Sequence, residues 1–410
     1  MDQAIATPPM DRRSVVVLAA GHLCIDLCQG AVPAFLPFLI AERHLSYTAA
    51  ASLVLATSLA SSVIQPLFGN LADRYTTPWL MPLGLLVAGC GLAGAALAHE
   101  FWQIVLAMLI SGIGVATFHP EAARWVNLVA TRRRATAMSL FSVGGNMGFA
   151  IGPLLTTALF LFFGLPGAAL LLCPLLAVSL ALILSFPRLL ASQRVAAGQD
   201  LRQATLAANN WRAFLLLTVA VICRSIVFYG MNTFLPLYWI AVLGQSKSAA
   251  ALALTILLTT GAIGTLISGR LADRYGRRVV VLGGFVLLAP LILGFVTLGT
   301  LNLPLAFVFL LPIGLALFAP ASVMIVMGQE YLPGRIGTAS GVTIGLAVSV
   351  GGVATPFFGH IADLYGVHAS LVGLIFIPLL AIGMLLILPR EHALPGRLAR
   401  PEQVSTSCDD

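Results

Sequence analysis

His22, Asp26 and Gln29 stand at i, i+4 and i+7, so on a helix an imidazole, a carboxyl and an amide share one face. They lie inside a long apolar run, where an ionisable group is costly and marks a proton or substrate pathway by default. The run starts near residue 14, so at about 1.5 Å per residue Asp26 is roughly 18 Å in, close to mid-membrane. Burial there penalises the charged form of a carboxyl, which suits a group that loads and releases protons. A substrate contact or a permanently paired packing group is the other reading. A later run carries Arg224, Tyr229 and Asn232. A buried guanidinium keeps its charge, so Arg224 needs a counter-ion, with Asp26 and Glu121 available, or an anionic substrate for its fork. A third group is His119-Pro120-Glu121 with Arg124: either titratable chemistry, or a hydrogen-bonded core histidine beside a gate-closing ion pair. Asn146 and Gln65 are further polar candidates for the cleft.

The elements that must position these residues follow from composition. With 59% hydrophobic and 9% charged residues, and a mean hydropathy of +0.99, the chain is not an ordinary water-soluble globule. Twelve apolar runs are long enough to span, at roughly 14–40, 46–70, 79–98, 101–123, 136–163, 168–186, 213–240, 249–270, 279–300, 304–328, 338–361 and 369–388. Several exceed the length needed, which predicts tilted or kinked helices. The one long polar connection divides the chain into 1–186, a linker at 187–212, and 213–410. With both termini inside, only Arg43, Lys247 and the intramembrane Arg224 of the 22 Lys and Arg residues miss the cytoplasmic side. The net charge of +7 therefore reports topology and invokes no nucleic acid.

Residues 1–13 are polar and show no small-residue cleavage site, which predicts a retained first span. Five of the six cysteines fall in spans; Cys24 and Cys28, at i, i+4 on one helix, are poorly placed for a disulfide and read as packing residues.

The halves repeat. Gly69-Asn70-Leu71-Ala72-Asp73-Arg74-Tyr75 is echoed about two hundred positions on by Gly269-Arg270-Leu271-Ala272-Asp273-Arg274-Tyr275, and the second copy continues into Gly276-Arg277. Phe118 and Pro120 match Phe318 and Pro320, but Ala319 and Ala321 replace His119 and Glu121. Pro33 matches Pro236, and Gln29 matches Asn232, so the first and seventh spans are equivalent and both should face a central cleft. Internal duplication of this kind marks a transporter scaffold. Within the signature loops, Gly69, Asp73, Arg74, Gly269, Asp273, Arg274 and Arg277 are expected to gate. The aspartates would cap helices or pair with the arginines, latching the halves at the cytoplasmic face. Arg124 is expected to join that gate, and the Gly144-Gly145-Asn146 run with Gly148 and Gly152 should let the fifth helix approach a neighbour.

On these residues the chain resembles the major facilitator superfamily. Its Gly21-His22-Leu23-Cys24-Ile25-Asp26 run, Phe118-His119-Pro120-Glu121, Val143-Gly144-Gly145-Asn146 and Leu332-Pro333-Gly334-Arg335-Ile336-Gly337 resemble the fosmidomycin-resistance group of drug efflux proteins. The resemblance implies an all-α integral membrane fold, with twelve transmembrane helices in two pseudo-symmetric six-helix bundles. It also implies efflux, antibiotic resistance and a bacterial inner-membrane location. One departure is Met108, four residues before Gly112, where many proton antiporters of the superfamily carry arginine.

The expectation is a drug/proton antiporter working by alternating access, and proton coupling is assigned to Asp26, Glu121, His119 and His22. Arg224, Gln29, Tyr229, Asn232, Asn146 and Gln65 form the substrate-facing set. The substrate is expected to be small and anionic or amphiphilic, and the functional unit a monomer. No phosphate-binding loop is present, so the proton gradient serves as energy source with no cofactor. Import of a small organic anion with protons is the alternative. An enzyme is disfavoured, because there is no metal-spaced His-Glu-x-x-His string and no Ser–His pair at matching depth. No metal is expected.

Overall fold

The computed structural model describes residues 10–130, 134–196, 209–335, 338–339 and 341–388; of Asn70, Ala72, Asp73, Arg74 and a few others only the backbone is described. Among the described residues the ordered elements are helices, with no strand. The first half holds α1 (Arg12–Arg43), α2 (Tyr47–Arg74), α3 (Leu80–Leu97), α4 (Phe101–Val129), α5 (Arg134–Phe163) and α6 (Leu172–Ala196). A 3-10 turn, Leu165–Leu171, leads into α6. The second half holds α7 (Trp211–Ala241), α8 (Lys247–Tyr275), α9 (Arg277–Leu298), α10 (Leu303–Tyr331) and α11 (Ala347–Tyr365). Its last span is broken into α12 (Val367–Leu374) and α13 (Phe376–Ile387). Eleven of the expected spans are long, apolar helices; the remaining one begins as a π-helical stretch, Gly341–Leu346, that runs into α11. α6 continues to Ala196, well past the expected end at 186.

Local sequence explains the ends. Ser46 and Ser246, equivalent in the duplication, each accept a hydrogen bond from the backbone N–H three residues on, at Ala49 and Ala249. Asp11 and Asn210 cap α1 and α7 in the same way. The turn after the second signature needs Gly276, whose φ of 92° a side chain would resist.

Within the first half α1 packs on α5, α4 and α6; contacts between halves run through α2–α11, α5–α8 and α1–α7. The α1–α5 seam is backbone on backbone. A Cβ on Gly144, Gly148 or Gly152 would strike the carbonyl oxygen of Ala19, Leu23 or Leu27, so three glycines one turn apart meet three carbonyls one turn apart. Gly145, beside this row, is where a Cβ would lie 2.5 Å from both Asp26 Oδ2 and His22 Nε2. The glycine run thus brings α5 against the acidic face of α1. Gly148→Val should lose folded protein, as overpacking at backbone costs at least about 1–3 kcal/mol, whereas Gly283→Ala, with nothing within 4 Å, should fold normally. Yield and monodispersity after detergent extraction provide the comparison.

The α2–α11 seam is closed at the end that the charge asymmetry assigns to the outside. Thr355 donates to the Ala51 carbonyl at 3.1 Å, and Asp363, past the expected end of its span, accepts from Tyr47 N (2.7 Å), Thr48 N (2.9 Å) and Thr48 Oγ1 (2.5 Å). A carboxylate of one half thereby caps the first turn of a helix in the other. Partial desolvation opposes its charge, but the Thr48 hydroxyl and the two backbone donors outweigh that and hold the carboxyl below the usual carboxylate range. A lowered value means that the contact is intact above the ordinary carboxylate pKa of about 3.9 and is lost only as pH falls through the lowered one. Asp363→Ala should loosen the outer seam by about 1 kcal/mol, a several-fold gain in outward opening, while the wild-type seam should not change between pH 5 and 9. Spin-label distances between the outer ends of α2 and α11 test both expectations.

Candidate functional site

Side chains from α1 and α4 build the site. On α1 the i, i+4, i+7 face holds as expected: His22 Nε2 lies 3.2 Å from Asp26 Oδ2, and Gln29 Nε2 donates to Asp26 Oδ1 at 2.8 Å. From α4, His119 reaches the same carboxyl, with Nε2 3.1 Å from Oδ1. Each imidazole is fixed from behind. His22 Nδ1 is 2.8 Å from the Phe141 carbonyl oxygen, and His119 Nδ1 is 3.0 Å from that of Val115. A carbonyl can only accept, so both Nδ1 atoms carry hydrogen and both Nε2 atoms face the carboxyl. His22 is further held by stacking on Phe141, with centroids 4.0 Å apart.

Asp26 and His119 open onto a cavity of about 230 Å³ between the halves. Gln29 and Asn232, matched across the duplication, line it with Tyr229, together with Thr57 and Ser58 of α2 and the rings of Phe149 and Phe228. The α2 hydroxyls and the two phenylalanines escape sequence reading, since a Ser or Phe in a membrane helix resembles its many neighbours. Asn146 and Gln65 are half-buried and are not among the cavity-lining residues.

Arg224 lies below the cavity on α7, five residues before Tyr229, and does not line it. One guanidinium nitrogen is 3.5 Å from the Leu317 carbonyl oxygen, the group lies 5.8 Å from the Phe228 ring centroid, and Nε is buried with no hydrogen-bond partner. Neither suggested counter-ion is paired with it: Asp26 is shared by the histidines, and Glu121 is engaged elsewhere.

The expected His119–Glu121–Arg124 group divides. Residues two apart on a helix point in different directions, so His119 turns to Asp26 while Glu121, fully buried, accepts from Trp125 Nε1 at 2.7 Å and lies 3.6 Å from Arg124 Nη1. Glu121 is therefore remote in its contacts from the carboxyl that it was expected to assist. Trp125, four residues on, was the sequence signal for this partner and went unread.

Of the gating set, Arg277 forms an ion pair with Glu330 of α10, and Arg274 stacks over Tyr275 at 5.3 Å. Both of these contacts stay inside the second half. Asp273 lies in the last turn of α8. The side chains of Asp73 and Arg74 lie outside the described residues. A Cβ on Gly69 would approach nothing closer than Pro120 Cβ at 3.8 Å, and one on Gly269 would meet nothing within 4 Å, so the signature glycines are uncrowded while the outer seam is closed.

A fold of duplicated membrane helices around a central cavity with a few polar groups in its wall is that of a membrane transporter. The Major Facilitator Superfamily profile matches residues 18–356, and the chain belongs to that family. It is 33% identical over 399 residues to the fosmidomycin resistance protein of Escherichia coli (strain K12), covering 94% of this chain and 95% of that one. It is 31% identical over 386 residues to the uncharacterized MFS-type transporter YfnC of Bacillus subtilis (strain 168), covering 93% of each. Among solved structures, a bacterial homolog of the human lysosomal transporter Spinster, in an inward-facing and occupied conformation, superposes with a TM-score of 0.78 at 16% identity, over 93% of this chain and 97% of that one. The nucleoside transporter NupG gives 0.73 at 14% identity, over 92% and 100%. The chain is a multi-pass membrane transporter and not an enzyme.

Removing Glu121 should leave the Trp125 N–H buried and unpaired, so Glu121→Ala should cost about 1–3 kcal/mol of stability. Glu121→Gln, which keeps an acceptor, should cost less. Thermal unfolding in detergent with both variants gives the difference.

Proposed function

We propose that the protein exports a small drug such as fosmidomycin in exchange for protons, by alternating access of one cavity. The observation that carries the proposal is a single carboxyl, Asp26, shared by two imidazoles at the wall of a cavity between the halves. Ionisable groups at this depth are retained for function, and this group offers atoms that protons and a substrate can contest. Once protons leave, the Nε2 lone pairs of His22 and His119 and the oxygens of Asp26 become acceptors. A substrate presenting N–H or O–H donors occupies them, and incoming protons displace it. That competition makes the exchange obligatory.

Gln29, Tyr229 and Asn232 complete the contacts in the cavity. Arg224, outside the cavity lining in this closed state and with its Nε buried and unpartnered, is the positive charge that an anionic group such as a phosphonate would meet once the halves move. The relative that is a fosmidomycin resistance protein supports the direction, export, and the choice of compound. The location that goes with this reading is the bacterial inner membrane, with both termini in the cytoplasm. The working unit is a monomer, and the proton gradient is the only energy source.

The test is proton movement in proteoliposomes on addition of fosmidomycin under an imposed pH gradient. Wild type should move protons against the drug, and Asp26→Asn should abolish the coupling by at least about tenfold. Proton movement surviving in Asp26→Asn would shift the coupling to another acid. Drug and protons moving in the same direction would replace export by anion import.

A further inference from the structure

From the geometry of the Asp26 group we infer that it holds two exchangeable protons at once, so that each transport cycle exchanges two protons for one substrate. The inference rests on the proton coupling proposed above and adds its stoichiometry.

The argument is a count of hydrogens. Backbone carbonyls of Phe141 and Val115 each require a hydrogen on the Nδ1 facing them. In a neutral imidazole of that tautomer, Nε2 bears a lone pair. Here both Nε2 atoms stand 3.1 and 3.2 Å from carboxyl oxygens, which also present lone pairs. Without a hydrogen between them these contacts are repulsive, and repulsion is strengthened where water is sparse. One added proton relieves one contact only, and two relieve both. The pair of protons sits either on both imidazoles beside an ionised Asp26, or on one imidazole and the carboxyl, the second imidazole then accepting. Both arrangements carry one net positive charge. Gln29 already donates to Oδ1, so it cannot serve either contact.

Neighbours supply no alternative source. From α5 the group meets Phe141 and Gly145, and from α2 the facing residues are Thr57 and Ser58. Cys28 is the nearby ionisable group on α1, and Tyr229 faces the cavity from α7. Both are neutral acids in ordinary conditions and do not donate along either contact. Glu121 and Arg124 are occupied with Trp125 and each other, and Arg224 touches neither histidine.

The count has a mechanical consequence. His22 and Asp26 belong to α1, but His119 belongs to α4, so the second proton is also what keeps the two helices joined through this carboxyl. In the cycle, two N–H or O–H bonds form as protons arrive from the outside and substrate departs. Both bonds break as the protons pass to cytoplasmic water. The group is then left with one net negative charge, and its two repulsive contacts drive His119 away from Asp26.

In vesicles with the membrane voltage clamped at zero and the lumen one pH unit more acidic, labelled fosmidomycin should accumulate about a hundredfold for two protons and about tenfold for one. Wild type is expected at about a hundredfold. His22→Gln, whose amide can still donate to Asp26 but carries no exchangeable charge, should fall to about tenfold. A tenfold limit in wild type overturns the two-proton count and leaves proton-coupled export standing, whereas no pH-driven accumulation overturns both. A measurement that needs no substrate is the 15N spectrum of His22 and His119 in the full-length protein, with the carboxyl band of Asp26 read by infrared spectroscopy. Two added protons distributed over the three groups support the count. One or none overturns it, as does a divalent metal ion co-purifying one-to-one and lost in Asp26→Asn, since the three side chains lie within 4.8 Å of one another and could share such an ion.

Discussion

The carboxyl of Asp26 is a buried polar group that two helices of the first half share through side chains. Placing a charge at mid-depth in an apolar bundle is tolerated only if every lone pair and hydrogen around it is matched. The structure meets this with parts from three helices: imidazoles from α1 and α4, and carbonyls from α4 and α5 that orient them. The glycine row on α5 is part of the same requirement. A side chain at Gly145 would occupy the space taken by Asp26 and His22, so the closeness of α1 and α5 is what encloses the group. Packing and chemistry are here one problem. A seam loosened by a single methyl would both lose contact energy and admit water to the carboxyl.

Breaking of the internal symmetry follows from this. The duplicated halves keep prolines, caps and signature loops in register, because these serve folding and movement in both. His119 has no counterpart, since its equivalent is Ala319, and Asp26 is matched on α7 by a helix whose buried charge is the opposite one, Arg224. One half therefore carries the titratable group and the other the fixed cation, with the cavity between them.

Much of this was legible before any coordinates. Apolar run length and charge asymmetry were enough for the spans, and the repeated signature was enough for the two halves, because bilayer thickness constrains both strongly. The shared face of His22, Asp26 and Gln29 was readable from helical spacing. The partner of Asp26 was not: His119 is far away in sequence, and its neighbours Glu121 and Arg124 made a local cluster look plausible. Side chains two apart on a helix diverge, and that alone separates Glu121 from His119. Arg224 was read as needing a counter-ion, with Asp26 and Glu121 available, or an anionic substrate; that neither carboxylate reaches it depends on where α7 sits, which no spacing rule contains. The break of the last span between Leu374 and Phe376 and the π-helical start of α11 were equally invisible, since neither alters the apolar pattern.

The two outer seams show how a nearly symmetric scaffold acquires a preferred state. At α2–α11 the cap comes from Asp363, whose equivalent in the first half is Phe160; at the matching start of α8, Lys247 instead lies 4.0 Å from the ring centroid of Phe38 on α1. A carboxylate on helix N–H groups is strong and directional, whereas an ammonium over an aromatic face tolerates sliding. Outward opening must therefore break a specific contact on one side and only shift a loose one on the other, so the halves should hinge about the side where α8 meets the first half. Because the Asp363 carboxyl stays ionised throughout the physiological range, that hinge does not sense pH. In the proton exchange proposed above, pH dependence enters instead at the buried group of Asp26, His22 and His119, so the latch and the proton site are separate groups.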